Sequence, residues 1–149
     1  MFLALVDGCV NYGAVNGDKY TGGVLGQANT KGKTVATVVK NSANYGRISS
    51  TDNGVGGVVG GCTGIMTVEN SNNYGAVSTA ASSYVGGIVG HATTVTVKGC
   101  NNYGDIAGVS NVGSIAGGIS ADTTITDCAN FGKPTGKNTV GDIFGYQAK

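Results

Sequence analysis

The tripeptide N-[YF]-G occurs five times in this chain, at Asn11-Tyr12-Gly13, Asn44-Tyr45-Gly46, Asn73-Tyr74-Gly75, Asn102-Tyr103-Gly104 and Asn130-Phe131-Gly132. Successive aromatic residues lie 33, 29, 29 and 28 positions apart. A period of this size marks an array of like units, each too small to bury its own apolar side and each dependent on its neighbours for a core. A second block, G-G-[VI]-x-G, keeps the same phase at Gly22–Gly26, Gly56–Gly60 and Gly86–Gly90. It degenerates to Gly113-Ser114-Ile115-Ala116-Gly117 and Gly141-Asp142-Ile143-Phe144-Gly145. The longer first interval reflects a polar insertion around Asn29–Lys33, expected to bulge from one coil as a loop. One repeat domain, 1–149, is divided into units 1–29, 30–61, 62–91, 92–119 and 120–149.

Within the units, columns of like residues alternate as strands do. Val6, Val39, Val68, Val97 and Ile125 each stand three residues before a Cys or Ser and are flanked mostly by polar side chains. Beside them runs an outward column of Asp7, Lys40, Glu69, Lys98 and Thr126, whose alternating signs become neighbours if units stack in parallel and so help fix register. The next outward column contains Thr67, Thr96 and Thr124, and a second apolar column holds Val15, Ile48, Val77 and Ile106, with Pro134 in the last unit.

Composition decides the architecture. Val and Ile number 27 against three Leu, which favours pleated sheet and excludes a helical bundle. Glycine supplies 28 of 149 residues, against a usual share of about 7%, yet without the G-X-Y period of collagen. Blades of a β-propeller need four strands in about 40–45 residues, more than this period provides. The expectation is therefore an all-β, parallel β-solenoid of about five coils, each with three short strands separated by glycine turns. Its glycines serve positive φ or close approach of coils, and its repeated Asn an αL or side-chain-bonded corner. The five aromatic rings should stack.

The pattern [CS]-x-N-[YF]-G-x-[VI] followed by V-G-G-I-V-G resembles the GLUG-type repeats of bacterial surface proteins, over five units from Cys9 to Phe144. The resemblance implies a secreted or wall-attached protein, in which such repeats build adhesins and the non-catalytic parts of immunoglobulin-cleaving peptidases. Ser114, Asp142 and Pro134 depart from the pattern, so the last units read as degraded or as a cap.

No residue is assigned a catalytic, cofactor-binding or metal-binding role, and no cofactor is expected. Cys9, Cys100 and Cys128 occupy a position that Ser42 and Ser71 fill elsewhere, which reads as packing. Cys100 and Cys128 fall on adjacent rungs at a separation a disulfide can span, although a parallel ladder rarely supplies the dihedral. Cys62 stands alone, no C-x-x-C motif exists, and His91 sits at a variable turn position without a nucleophile pattern. The acids Asp7, Asp18, Asp52, Glu69, Asp105, Asp122, Asp127 and Asp142 form no repeated carboxylate pair of the kind glycoside cleavage uses. Gly32-Lys33-Thr34 lacks the preceding glycine of a phosphate loop, since Gln27 stands there. Calcium-binding β-roll repeats need recurrent Asp among the glycines, and only Asp142 supplies one. The threonine column is too short and too close to charge for an ice-binding face.

Nine Lys and Arg against eight Asp and Glu leave a net charge of +1 without a run of either sign, so no nucleic-acid footprint is expected. No stretch approaches the roughly 18 apolar residues of a membrane helix, and the opening segment breaks at Asp7-Gly8, too early for a secretory leader. The expected role is a non-catalytic structural or adhesive segment of an extracellular or cell-surface protein, with a host or matrix glycan or protein as ligand. The alternatives are a filament subunit that self-associates through its terminal rungs and a glycan-binding or glycan-cleaving β-helix. The ends, a strand at Leu3–Asp7 and a stop soon after Gly145, would nearly complete one period if joined, as in either an excised array or stacked copies.

Overall fold

The computed structural model describes residues 4–80 and 83–149, so Leu3 of the expected first strand lies outside the described residues. Among those residues the chain is all-β, and successive coils pair in parallel as a β-solenoid of about five turns. None of the described segments is a helix long and apolar enough to cross a membrane.

Each coil visits four sheets where three strands were expected. The first sheet has eight strands, among them Ala4–Asp7, Thr37–Lys40, Val59–Glu69 and Val89–Lys98. The second carries the asparagines, from Val10–Asn11 to Ala129–Asn130. The third runs from Val15–Gly17 to Pro134–Thr135, and the fourth from Thr21–Gly22 to Val140–Gly141. The extra strand hides in the glycine block. Val55–Gly56 is itself a ladder, and the chain then turns so tightly that a Cβ on Gly56 would lie 1.9 Å from the Val59 carbonyl oxygen before the first sheet begins.

Register follows the sequence columns. Asp7 pairs with Lys40, Lys40 with Glu69, Glu69 with Lys98 and Lys98 with Thr126, while Thr67, Thr96 and Thr124 align beside them. Lys40 Nζ approaches Asp7 Oδ2 at 3.4 Å, and Asn41 Nδ2 donates to Asp7 Oδ1 at 2.9 Å. These two partners, Asn41 first, hold the Asp7 carboxyl below its ordinary value. The polar insertion leaves the first sheet between Asn29 and Thr37, with a turn closed by Lys33 N–H donating to the Thr30 carbonyl at 2.9 Å. A single extra residue in the third coil shifts register between Cys62 and Ile65, where Gly64 takes φ 106°. Only glycine accepts that conformation without strain.

Positive φ recurs just before the fourth-sheet strands, at Tyr20, Gly54, Asn111 and Thr139, and fills the column just before the Cys or Ser: Gly8, Asn41, Asn70, Gly99 and Asp127, with φ of 67°, 52°, 47°, 63° and 54°. This column turns the chain from the first sheet into the second, and it contains only the residue types that tolerate αL. The asparagines of N-[YF]-G instead make the side-chain-bonded corner. Asn73 Nδ2, for instance, donates to the Gly75 carbonyl at 2.8 Å.

Two apolar clusters fill the interior. The larger joins Val39, Val68 and Val97 of the first sheet to Val58, Ile88 and Ile115 of the glycine blocks. The smaller packs Ile48, Val77 and Ile106 of the third sheet on Val55, Val85 and Val112 of the fourth. The asparagine side chains point inward against the second glycine of the preceding block. A Cβ on Gly23, Gly57 or Gly87 would come within 2.5 Å of Asn44, Asn73 or Asn102 respectively.

Candidate surface sites along the solenoid

Three ladders run parallel to the axis. Asn11, Asn44, Asn73 and Asn102 each donate Nδ2 to Oδ1 of the next asparagine, the last to Asn130, at 2.8, 2.8, 2.8 and 2.9 Å. Tyr12, Tyr45, Tyr74, Tyr103 and Phe131 stack with ring centroids 5.2, 4.6, 4.8 and 4.9 Å apart and planes within 14°. Because the rings face one another, solvent meets mainly their edges except at the terminal rings, where Tyr12 is 77% and Phe131 67% exposed. A sugar ring needs an open aromatic face to stack on, which the middle of this ladder does not offer.

The third ladder is the Cys/Ser column. Cys9, Ser42, Ser71 and Cys100 each donate their backbone N–H to the Oγ or Sγ of the next, at 3.2, 3.2, 3.5 and 3.5 Å. All four cysteines are free thiols. Cys62 is buried apart from this column, and burial pushes its thiol up to about 11. Cys128, half-buried at the end of the column, falls to about 7 through its contact with Cys100, whose own thiol is raised.

His91 does not sit at an isolated turn. Tyr84 covers Gly118 of the next coil, and its ring stacks on His91 at 4.6 Å and meets Tyr146 at 6.4 Å. Tyr20 packs in the same way on Gly54 and Gly61, with Lys19 Nζ 5.5 Å from its ring centroid. Large rings on odd coils thus lie over glycines on even coils. The alternation of Tyr20, Gly54 and Tyr84 with Gly61, His91 and Gly118 is a signal that reading each turn separately misses. Half-burial holds His91 below its ordinary value of 6.5. Its imidazolium is therefore favoured in the unfolded chain, and stability should fall as pH drops from about 6.5 through the lower folded value. Urea unfolding of the chain and of His91→Gln, which places the side chain of Gln27's column there, should show this acid loss reduced in the variant. An identical acid loss in both would place its origin elsewhere.

A shallow groove of about 520 Å³ lies at the end of the third sheet, lined by Asn16, Gly17, Ser49, Ser50, Thr51, Ser78, Thr79 and Ala80. Register places Asn16, Ser49 and Ser78 side by side on successive coils, and the Ser49 hydroxyl donates to Asn16 Oδ1. Hydroxyl and amide groups at rung spacing can hydrogen-bond an extended polar ligand. The lining holds no carboxylate, and nearby Asp18 accepts a hydrogen bond from Thr51 Oγ1 at 2.7 Å. Asp105 accepts the Lys133 backbone N–H at 2.9 Å. Among the described residues no group of three or more His, Cys, Asp or Glu could hold a metal ion. Gly32-Lys33-Thr34 lies in the exposed insertion, with no helix after it.

No protein-family model and no curated protein matches the chain. Among solved structures it is similar to one described as the crystal structure of a putative immunoglobulin A1 protease from Bacteroides ovatus, with a TM-score of 0.71 and 21% sequence identity. The match covers 93% of this chain and 49% of that one, so the chain spans about half the length of the structure it resembles. At that identity the likeness establishes a shared solenoid fold.

Proposed function

We propose that this chain is a non-catalytic structural and adhesive segment of an extracellular or cell-surface protein, of the kind its resemblance to GLUG-type repeats implies. The observation that carries the reading is the layout of the side chains. Asn, aromatic, Cys/Ser and charged residues are presented as columns along the axis, one per coil, whereas a reaction needs unlike groups converging on one point. Cleavage of a glycan would require two carboxylates facing one bond. The polar groove instead suits reversible hydrogen bonding to the hydroxyls of a glycan on a host or matrix surface.

Beads coated with the chain are expected to be retained on immobilised mucin glycans, and free chain should compete for that retention. Neither those glycans nor immunoglobulin A1 should be cleaved. Turnover of either would overturn the non-catalytic reading, and failure to be retained on glycan or matrix-protein surfaces would remove the adhesive part.

Self-association through terminal rungs is the second reading, supported by the outward faces of Tyr12 and Phe131 and by exposed Val10, Val140 and Ile143 on the outer coils. Pro134 counts against it. It stands on the outer edge of the third sheet, where successive coils donate N–H to the next coil (Ile48 to Ala76, Val77 to Asp105, Ile106 to Lys133), and proline has no N–H to give. Light scattering and electron microscopy across a concentration series distinguish the two, with Val97→Pro as a folding control that breaks an inner rung. Filaments lost in that variant would favour end-to-end stacking of folded chains, and monomers at every concentration would exclude it.

A further inference from the structure

The Cys/Ser ladder ends on two sulfurs with no hydroxyl between them. Cys100 and Cys128 are adjacent members of one column, and the strands on either side of them are in register, Lys98 with Thr126 and Asn101 with Ala129. Rung spacing of about 4.8 Å lies inside the Cα separation a disulfide spans, about 4.4–6.8 Å. The Cys100 N–H points at Cys128 Sγ at 3.5 Å, and both thiols also lie against backbone carbonyls, Cys100 against Lys98 and Val68 and Cys128 against Thr126 and Val97. The environments of the two differ. Cys100 is fully buried, while Cys128 is half-exposed and is the last member of the column.

We propose that Cys100 and Cys128 form a redox-responsive dithiol that closes into a disulfide between the fourth and fifth coils on meeting a low-molecular-weight disulfide. An accessible thiol beside a sheltered one divides the work as attacking and resolving groups do. The Cys128 thiolate attacks the external disulfide, forming a mixed disulfide and releasing one external thiolate. Cys100 then gives up its proton and attacks Cys128 Sγ, forming the inter-coil bond and releasing the second external thiol. In balance, one external disulfide is reduced to two thiols, and two protein thiols lose two protons and two electrons to make one S–S bond. Ionisation of Cys128 near neutral pH, at about 7, supports its role as the attacking group. The bond would pin the fifth coil, whose Val140, Ile143 and Phe144 are exposed, to the better-buried fourth.

The test uses the full chain carrying Cys9→Ser, which removes the exposed thiol of the first coil and installs the residue that Ser42 and Ser71 supply in the same column. Oxidised glutathione is added at mildly alkaline pH, and the protein is digested with trypsin. Trypsin leaves the Lys133–Pro134 bond intact, so the segment 99–137 contains both Cys100 and Cys128, and the internal bond is read as the loss of two hydrogen masses. Free thiols should drop from three to one. With Cys100→Ser the reaction should stop at a glutathione adduct on Cys128, and with Cys128→Ser neither product should form. Circular dichroism verifies that each serine variant folds. A stable glutathione adduct on Cys128 when Cys100 is present, or thiols that remain unmodified, would overturn the proposal.

Discussion

Asn73→Ala is expected to cost about 4 kcal/mol of folding stability, while Asn11→Ala, the same change in the same tripeptide, costs about 1. Asn73 is fully buried at the centre of its ladder, where it accepts from Asn44 Nδ2 and donates to Asn102 Oδ1 and to the Gly75 carbonyl, each at 2.8 Å. Truncation leaves those three partners short of a bond in a place water does not reach, and each unmet group costs about 1–3 kcal/mol. Asn11 begins the ladder half-exposed, and water can replace what it gives up. Asn73→Asp sharpens the comparison, because it keeps the shape but cannot donate to Asn102 or Gly75. Equilibrium urea unfolding of the three variants measures the differences. Equal losses at positions 11 and 73 would mean that each Asn only shapes its own corner.

The same ladder shows where a sequence of this kind is legible. Columns that repeat at the unit period could be read before any coordinates: the inward Val6, Val39, Val68, Val97 and Ile125, the charges from Asp7 to Lys98, and the stack from Tyr12 to Phe131 all fall into register as their spacing demands. What stayed hidden was pairing between different columns. That Asn73 packs against Gly57, or Tyr84 against Gly118, depends on how far the chain turns at each corner, and periodicity alone does not carry corner angles. The fourth strand was missed for the same reason, since Val55-Gly56-Gly57 serves as ladder and bend at once. Of the two αL columns, the one before the Cys or Ser was within reach, since Gly8, Asn41, Asn70, Gly99 and Asp127 are restricted to three residue types that tolerate it, whereas the one before the fourth sheet holds Tyr20 and Thr139 and carries no such signal.

At the thiols, adjacency of Cys100 and Cys128 followed from spacing, because residues one period apart become neighbours. Their inequality did not. It arises from the direction in which backbone N–H groups point along the column and from the difference in burial between the fourth and fifth coils, both properties of the assembled solenoid. The groove on the third sheet is similar, since its column reads Asn16, Ser49, Ser78 and Ala107 and holds no residue type common to all these coils.

Gly75→Ala should be among the most damaging single methyl groups that can be added to this chain, with an expected loss of about 3 kcal/mol or more. Its cause is distance between coils, because Gly75 is not among the residues with positive φ. A Cβ there would stand 1.9 Å from the Gly46 carbonyl oxygen and 2.6 Å from its carbon, where contacts under 3.0 Å force something to move. The two nearest atoms are backbone, and the third, Asn44 Nδ2 at 3.0 Å, is held by its hydrogen bonds to the Gly46 carbonyl and Asn73 Oδ1. Relief requires the second and third coils to part, which stretches the Tyr74 N–H to Asn44 carbonyl bond, now 2.7 Å, and opens the Tyr45–Tyr74 stack from 4.6 Å. Gly132→Ala meets the Gly104 carbonyl oxygen at 2.0 Å, but the outer coil can yield, so a smaller loss is expected. Gly13→Ala meets nothing closer than Asn11 Oδ1 at 3.8 Å and should be neutral within about 0.5 kcal/mol, since alanine also restricts the unfolded chain. The order Gly75, Gly132, Gly13 in urea midpoints is the signature of coil-to-coil contact as the constraint on this glycine. If Gly13→Ala proved as costly as Gly75→Ala, the tripeptide would require glycine for its local backbone shape, and the spacing of the coils would have to be set by other residues.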